Sequence, residues 1–87
     1  MKLHILMIRT GAAVQSIHWK AGSYVSTNDL SDWSSSDDVA HLKLNELLQA
    51  ALLLGMGVEV NTRTADEQAA EEQWLRDYRA KEAVAAE

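Results

Sequence analysis

The chain is 87 residues long with a formal net charge of −5, and it contains neither cysteine nor proline. At this length it makes one domain with a thin core, and no disulfide or thiolate metal site can supplement that core. Eight Lys and Arg against thirteen Asp and Glu leave no basic stripe for a nucleic-acid backbone, while 47% apolar residues exclude wholesale disorder.

Residues 2–9 alternate, with Leu3, Ile5 and Met7 on one side and Lys2, His4 and Leu6 on the other, the period of two of a half-buried strand. The apolar stretch is short, is interrupted by His4 and lacks a small-residue cleavage context, so it reads as a strand and not a leader. Gly11 breaks the pattern, which resumes from Ser16 with Ile17 and Trp19 opposite His18 and Lys20. Ala21-Gly22-Ser23 offers a glycine for a tight reversal into Tyr24-Val25-Ser26-Thr27. Two hairpin-linked strands, or three, are expected here.

From Asn28 to Asp38 the residues are mostly Ser, Asp and Asn, whose side chains compete for backbone hydrogen bonds and favour turns and caps. This loop carries one large apolar residue, Trp33. Ser36, Asp37 or Asp38 can cap a helix predicted from Val39 to Leu54, with Leu44, Leu47, Leu48, Ala51 and Leu52 at spacings of three and four. Leu53 and Leu54 widen that stripe, so the helix is expected to be mostly buried. Ala40, Leu42 and Leu44 also fit a period of two, which leaves an extended first turn as the alternative. The Leu-rich run is too short and polar to span a bilayer, which takes ~20 mostly apolar residues, so the chain is expected to be soluble.

Gly55 stands where a helix ends in the left-handed conformation, and Gly57 opens Val58-Glu59-Val60, a strand that can return beside the first two. Thr64-Ala65-Asp66-Glu67 is a capping box. The second helix it starts reaches about Val84, with Glu72–Arg76 and Asp77–Lys81 in the favourable i, i+4 order. Its large apolar residues are Trp74, Leu75 and Tyr78. The fold expected is α+β: a small antiparallel sheet of two to four short strands on one buried helix, with a second amphipathic C-terminal helix. Residues 1–61 form the core domain and 62–87 a helical extension.

No pattern points to catalysis. His4 and His18 share a face if the first two strands pair, but zinc wants three or four ligands and no further ligand arrives at a recognisable spacing; two surface histidines on a sheet face is the alternative, and no metal or cofactor is expected. Ser34-Ser35-Ser36-Asp37-Asp38 lacks the strand–elbow–helix glycines of a serine nucleophile. The acids of Asp37-Asp38 and Glu71-Glu72 diverge on a helix instead of converging on a bond. The four glycines make no phosphate loop. A non-enzymatic chain is the expectation.

What remains is surface apolarity. Trp33 in its polar loop, and Trp74, Leu75 and Tyr78 on a helix otherwise hydrophilic, are the candidate partner-binding residues, since Trp and Tyr anchor protein interfaces. Alternatively Trp74, Leu75 and Tyr78 fold back to cover the sheet.

The Lys2–Leu6 strand, the segment Trp19-Lys20-Ala21-Gly22-Ser23-Tyr24-Val25, the helix end Leu47-Leu48-Gln49-Ala50-Ala51-Leu52-Leu53-Leu54-Gly55 and the closing Val58-Glu59-Val60 together resemble small accessory proteins encoded among the head genes of tailed bacteriophages. The resemblance covers residues 2–60; the loop around Trp33 and the terminal helix depart from it. It implies a virion structural or assembly accessory protein without catalytic residues, in the cytoplasm of a bacterial host or incorporated in a virion. Its partners would be a larger protein or protein lattice, or further copies of itself, and neither nucleic acid nor membrane. The alternative is a small phage-encoded inhibitor that blocks a host protein, such as a defence or nucleic-acid-processing complex. With eight basic residues diluting thirteen acids, such an inhibitor would work by shape complementarity more than by imitating nucleic-acid charge.

Overall fold

The computed structural model describes residues 1–38 and 40–85. β1 (Lys2–Thr10) and β2 (Ala13–Gly22) pair antiparallel from Thr10–Ala13 at the turn to Lys2–Gly22 at the far end. Only Gly11 and Ala12 are left to reverse the chain. Gly11 adopts φ 60°, which a side chain would resist and glycine takes freely at the first position of a two-residue turn. A bulge follows, because Ile8 faces Ser16 while Arg9 faces Val14, so Gln15 is the extra residue.

The reversal expected at Ala21-Gly22-Ser23 is not made there. β2 continues through Ala21 and Gly22, both paired with β1, and Tyr24–Thr27 is not a strand. The third strand is instead β3 (Ser34–Ser36), three serines of the presumed loop paired antiparallel with Trp19, His18 and Ile17. After α1 (Ala40–Leu53), β4 (Gly57–Thr64) lies parallel to β1. The sheet order is β3-β2-β1-β4, so the α+β fold stands but the sheet is mixed. A parallel neighbour needs a crossover connection, and α1 supplies it. Val39, where the first helix was predicted to start, lies outside the described residues.

β1 is central, and it is buried on both faces, not one. Leu3 and Ile5 pack with Ile17 and Ala51, joined by Met7, Trp19, Leu44 and Leu47 under α1. Leu6 and Ile8 pack on the other face with Trp33, joined by Val25, Leu30 and Ala65. His4 is also buried there, with Nδ1 3.1 Å from the Glu59 carboxylate and Nε2 3.3 Å from the Gly22 carbonyl. Each ring nitrogen therefore has an oxygen partner, which a buried polar group requires.

α1 is not the buried helix that its leucines suggest. Of the α1 residues whose burial is described, only Ala51 is buried; Leu44 and Leu47 are half-buried, and Leu52 and Leu53 are 80% and 86% exposed. One sheet covers one stripe of a helix, and among the described residues no second layer lies over the rest. The helix ends as Gly55 predicts: at φ 66° its N–H donates to Leu52 O at 3.2 Å and the Met56 N–H to Ala51 O at 2.9 Å. These are the two bonds of a Schellman motif, and Met56 packs on the core that contains Ala51, the apolar contact that accompanies it.

β4 runs to Thr64, so a boundary at 61/62 falls inside a strand. α2 (Ala65–Ala85) begins at the capping box: the Glu67 N–H donates to Thr64 Oγ1 at 3.1 Å and the Thr64 N–H to Glu67 Oε1 at 3.4 Å. The predicted Glu72–Arg76 and Asp77–Lys81 pairs give way to amide bonds. Gln68 donates to Glu72, Gln73 donates to Asp77, and Arg76 donates to Gln73 Oε1 at 2.7 Å. The result is a flat molecule, 49 × 31 × 16 Å, with a Cα radius of gyration of 14.8 Å against about 12 Å for a compact chain of this length. No described helix is long and apolar enough to cross a membrane.

Candidate functional site on the second helix

One stripe of α2 faces the rest of the molecule, and beyond Ala65 it is mostly polar. Gln68 is buried: its Oε1 accepts from Arg63 Nη1 at 2.9 Å, and the same nitrogen donates to Thr27 O at 3.1 Å. One turn on, Glu72 accepts from Gln68, then comes half-buried Leu75, and then Arg79, which forms an ion pair with Asp29. The Ser31 N–H donates to Asp29 Oδ1 at 3.0 Å. That bond and the Ser31 side chain, with Arg79 adding its charge, hold the Asp29 carboxyl below its usual range. The segment 28–33 is thus tied to α2 at one end and packed under it at the other.

Between this segment, the sheet and α2 lies an open cleft of about 380 Å³. His18 and Ser35 come from the sheet, Leu30 and Trp33 from the loop, and Leu75 and Arg76 from α2. The charges around it already have partners: Arg79 with Asp29, Arg76 with Gln73, Glu72 with Gln68. The Ser16 hydroxyl lies 3.1 Å from His18 Nε2, the separation of a nucleophile and its base. Among the described residues, however, no carboxylate bonds the His18 ring, so the orienting third member of such a group is lacking. His4 and His18 do share a sheet face, but no cluster of three or more His, Asp or Glu side chains suited to a metal occurs among the described residues.

Burial pushes the His18 pKa below its ordinary value of 6.5, partly offset by the charges of Asp37 and Glu72. Because the folded ring resists the proton that the unfolded chain accepts, its stabilising contribution is complete above pH 6.5 and is lost as pH falls below that value. Urea titrations at about pH 7.5 and pH 5.5 should show wild type losing more stability on acidification than His18→Gln. Equal losses would mean that the ring titrates as it does in water.

The four residues expected to meet a partner are separated by the structure. Trp33 is a correction: it is 8% exposed and belongs to the core with Leu6 and Ile8. The second face of β1 is apolar and needs a cover, which the loop provides by folding Trp33 onto it. The turn is closed by the Trp33 N–H donating to Leu30 O at 3.0 Å. Leu75 is half-buried in the cleft wall. Trp74 and Tyr78 remain outside, 55% and 48% exposed, with ring centroids 5.4 Å apart and planes 13° from parallel. A hydrogen bond to Glu82, reinforced by its charge, pushes the Tyr78 phenol up.

Sequence reasoning missed Gln68, Arg79, Asp29 and His18 as parts of one assembly. The spacing of Gln68, Glu72, Leu75 and Arg79 is helical, but only one of the four is apolar, so hydrophobic periodicity carries no trace of it. No family model, no curated protein and no solved structure matches the chain.

Proposed function

We propose that this chain is a non-catalytic protein-binding domain that docks on a larger protein through Trp74 and Tyr78. The observation that carries the reading is the stacked pair itself. Two large aromatics are held half in water on α2 while the thin core beneath is completed by Ala65 and Gln68. Aromatics ordered against each other bind at little further entropic cost, and Trp and Tyr dominate interface energetics. The cleft beside them has self-compensated charge and, among the described residues, no orienting group at His18, which supports recognition over bond-making.

The setting we infer is that of a virion structural or assembly accessory protein, acting in a bacterial cytoplasm before it joins a particle. The first strand, the helix end through Gly55 and the closing β4 support this resemblance. The Trp19–Val25 segment does not, because it ends a strand instead of forming a hairpin.

Affinity capture from an infected-host lysate, with wild type and Trp74→Ala/Tyr78→Ala in parallel, tests the reading. Loss of an interface anchor worth 2 kcal/mol or more lowers affinity about 30-fold, so the partner should disappear from the double variant while its thermal melt is unchanged. Virion proteins among the lost species support the assembly role. A nucleic-acid-processing complex would indicate an inhibitor instead, and identical recoveries would refute the aromatic surface.

A further inference from the structure

We propose that β4 is a dimerisation edge, at which two copies of this chain pair β4 to β4 in antiparallel fashion about a two-fold axis at Asn61, joining two four-stranded sheets into one of eight strands. This goes beyond the α2 surface and does not depend on it. β4 is the outermost strand on its side of the sheet. Natural edges are blunted by proline, by charged side chains, lysine above all, by bulges or by a covering element. Gly57–Thr64 has neither proline nor lysine, and it keeps an unbroken register with β1 over all eight residues.

The strand is also self-complementary in charge. In a two-fold pair, residue i faces j and j faces i, and opposed side chains share a sheet face. Centring on Asn61 sets Glu59 of each copy against Arg63 of the other, twice, and sets Val60 against Thr62 on the opposite face. Centring on Glu59 would oppose two carboxylates, and centring on Val60 would leave Glu59 facing Asn61 and Arg63 facing Gly57. Both charged side chains have capacity left for the contact: Glu59 meets His4 through Oε2, and Arg63 makes its two bonds through Nη1.

Val58 and Val60 lie opposite Leu3 and Ile5 on the face that α1 covers, yet both are exposed. Leu48 and Leu52 are exposed on the flank of α1 beside its packing stripe, and in a crossover of the usual right-handed sense that flank is the one on the β4 side. An apolar rim therefore runs along the free edge. The chain exposes 6012 Å², about 900 Å² more than a compact monomer of its mass would expose. A standard interface covers about 800 Å² of each partner, so one such contact removes the excess.

Light scattering on the eluting wild-type protein at about 100 µM, where a dimer of micromolar affinity is formed, should give twice the 9.6 kDa chain mass. Val60→Lys and Leu52→Glu alter exposed sites, so both variants should fold and run at the single-chain mass. Glu59→Arg and Arg63→Glu should each be monomeric alone, and an equimolar mixture should recover the dimer, because every swapped charge then meets its opposite. A monomeric wild type overturns the proposal. So does a dimer that persists in Val60→Lys and Leu52→Glu, or a mixture of folded charge variants that stays monomeric. None of these substitutions touches Trp74 or Tyr78, so failure here leaves the capture experiment standing, and the reverse holds.

Discussion

Trp33→Ala is expected to unfold the chain near physiological temperature. The side chain is almost wholly buried against Leu6 and Ile8, with Val25, Leu30 and Ala65 around it, and truncating a buried Trp costs about 3–5 kcal/mol in lost transfer energy and residual cavity. A domain of this size has a total stability of about 4–13 kcal/mol, and a flat single-sheet molecule without staples belongs toward the low end of that range. In small domains each kcal/mol moves the melting temperature by about 4–8 °C, so the melt should fall by at least about 12 °C. Circular dichroism measures it directly, with Trp74→Ala as the control for losing an equally large side chain from the surface. A Trp33→Ala melt within a few degrees of wild type would show that the second face of β1 has no core.

Much of this architecture is written locally, and those parts were legible. The alternation of β1 and of Ile17–Lys20, the left-handed Gly55, the returning β4 and the reciprocal Thr64–Glu67 bonds each depend on residues a few positions apart. Trp74 and Tyr78 stand exposed where a hydrophilic helix would leave them. Other features depend on which segments meet across the fold. Trp33 looked like a solvent-facing anchor because its neighbours are Ser and Asp, yet the even face of β1, some 25 residues earlier, decides its burial. Arg63 reaches Thr27 across 36 residues and Arg79 reaches Asp29 across 50, separations at which no spacing rule operates. Gly22 could have turned the chain as well as Gly11 does, and the continued pairing of β2 with Leu3 and Lys2 settled the matter.

The leucines of α1 show the same limit in energetic form, and they make the second large prediction a comparison. Ile5 is fully buried at the centre of β1 beneath α1, so Ile5→Ala should cost about 2–5 kcal/mol. Leu53→Ala removes a comparable side chain from a residue that is 86% exposed and should change stability by no more than about 0.5 kcal/mol. By composition alone, the run Leu47-Leu48 to Leu52-Leu53-Leu54 is the more hydrophobic segment and would be ranked first. The sheet covers one stripe of α1, so burial follows geometry and not the local density of leucine. Urea denaturation at one temperature decides between the two rankings, provided the dependence on urea is the same for both variants, so that a displaced midpoint reports stability and not a changed unfolded state. Should Leu53→Ala cost as much as Ile5→Ala, the outer face of α1 would have to be covered in solution. Leu53 stands two residues, a little over half a helical turn, from the packed Ala51, so it lies on the side of α1 away from the sheet and pairing at the β4 edge would not cover it.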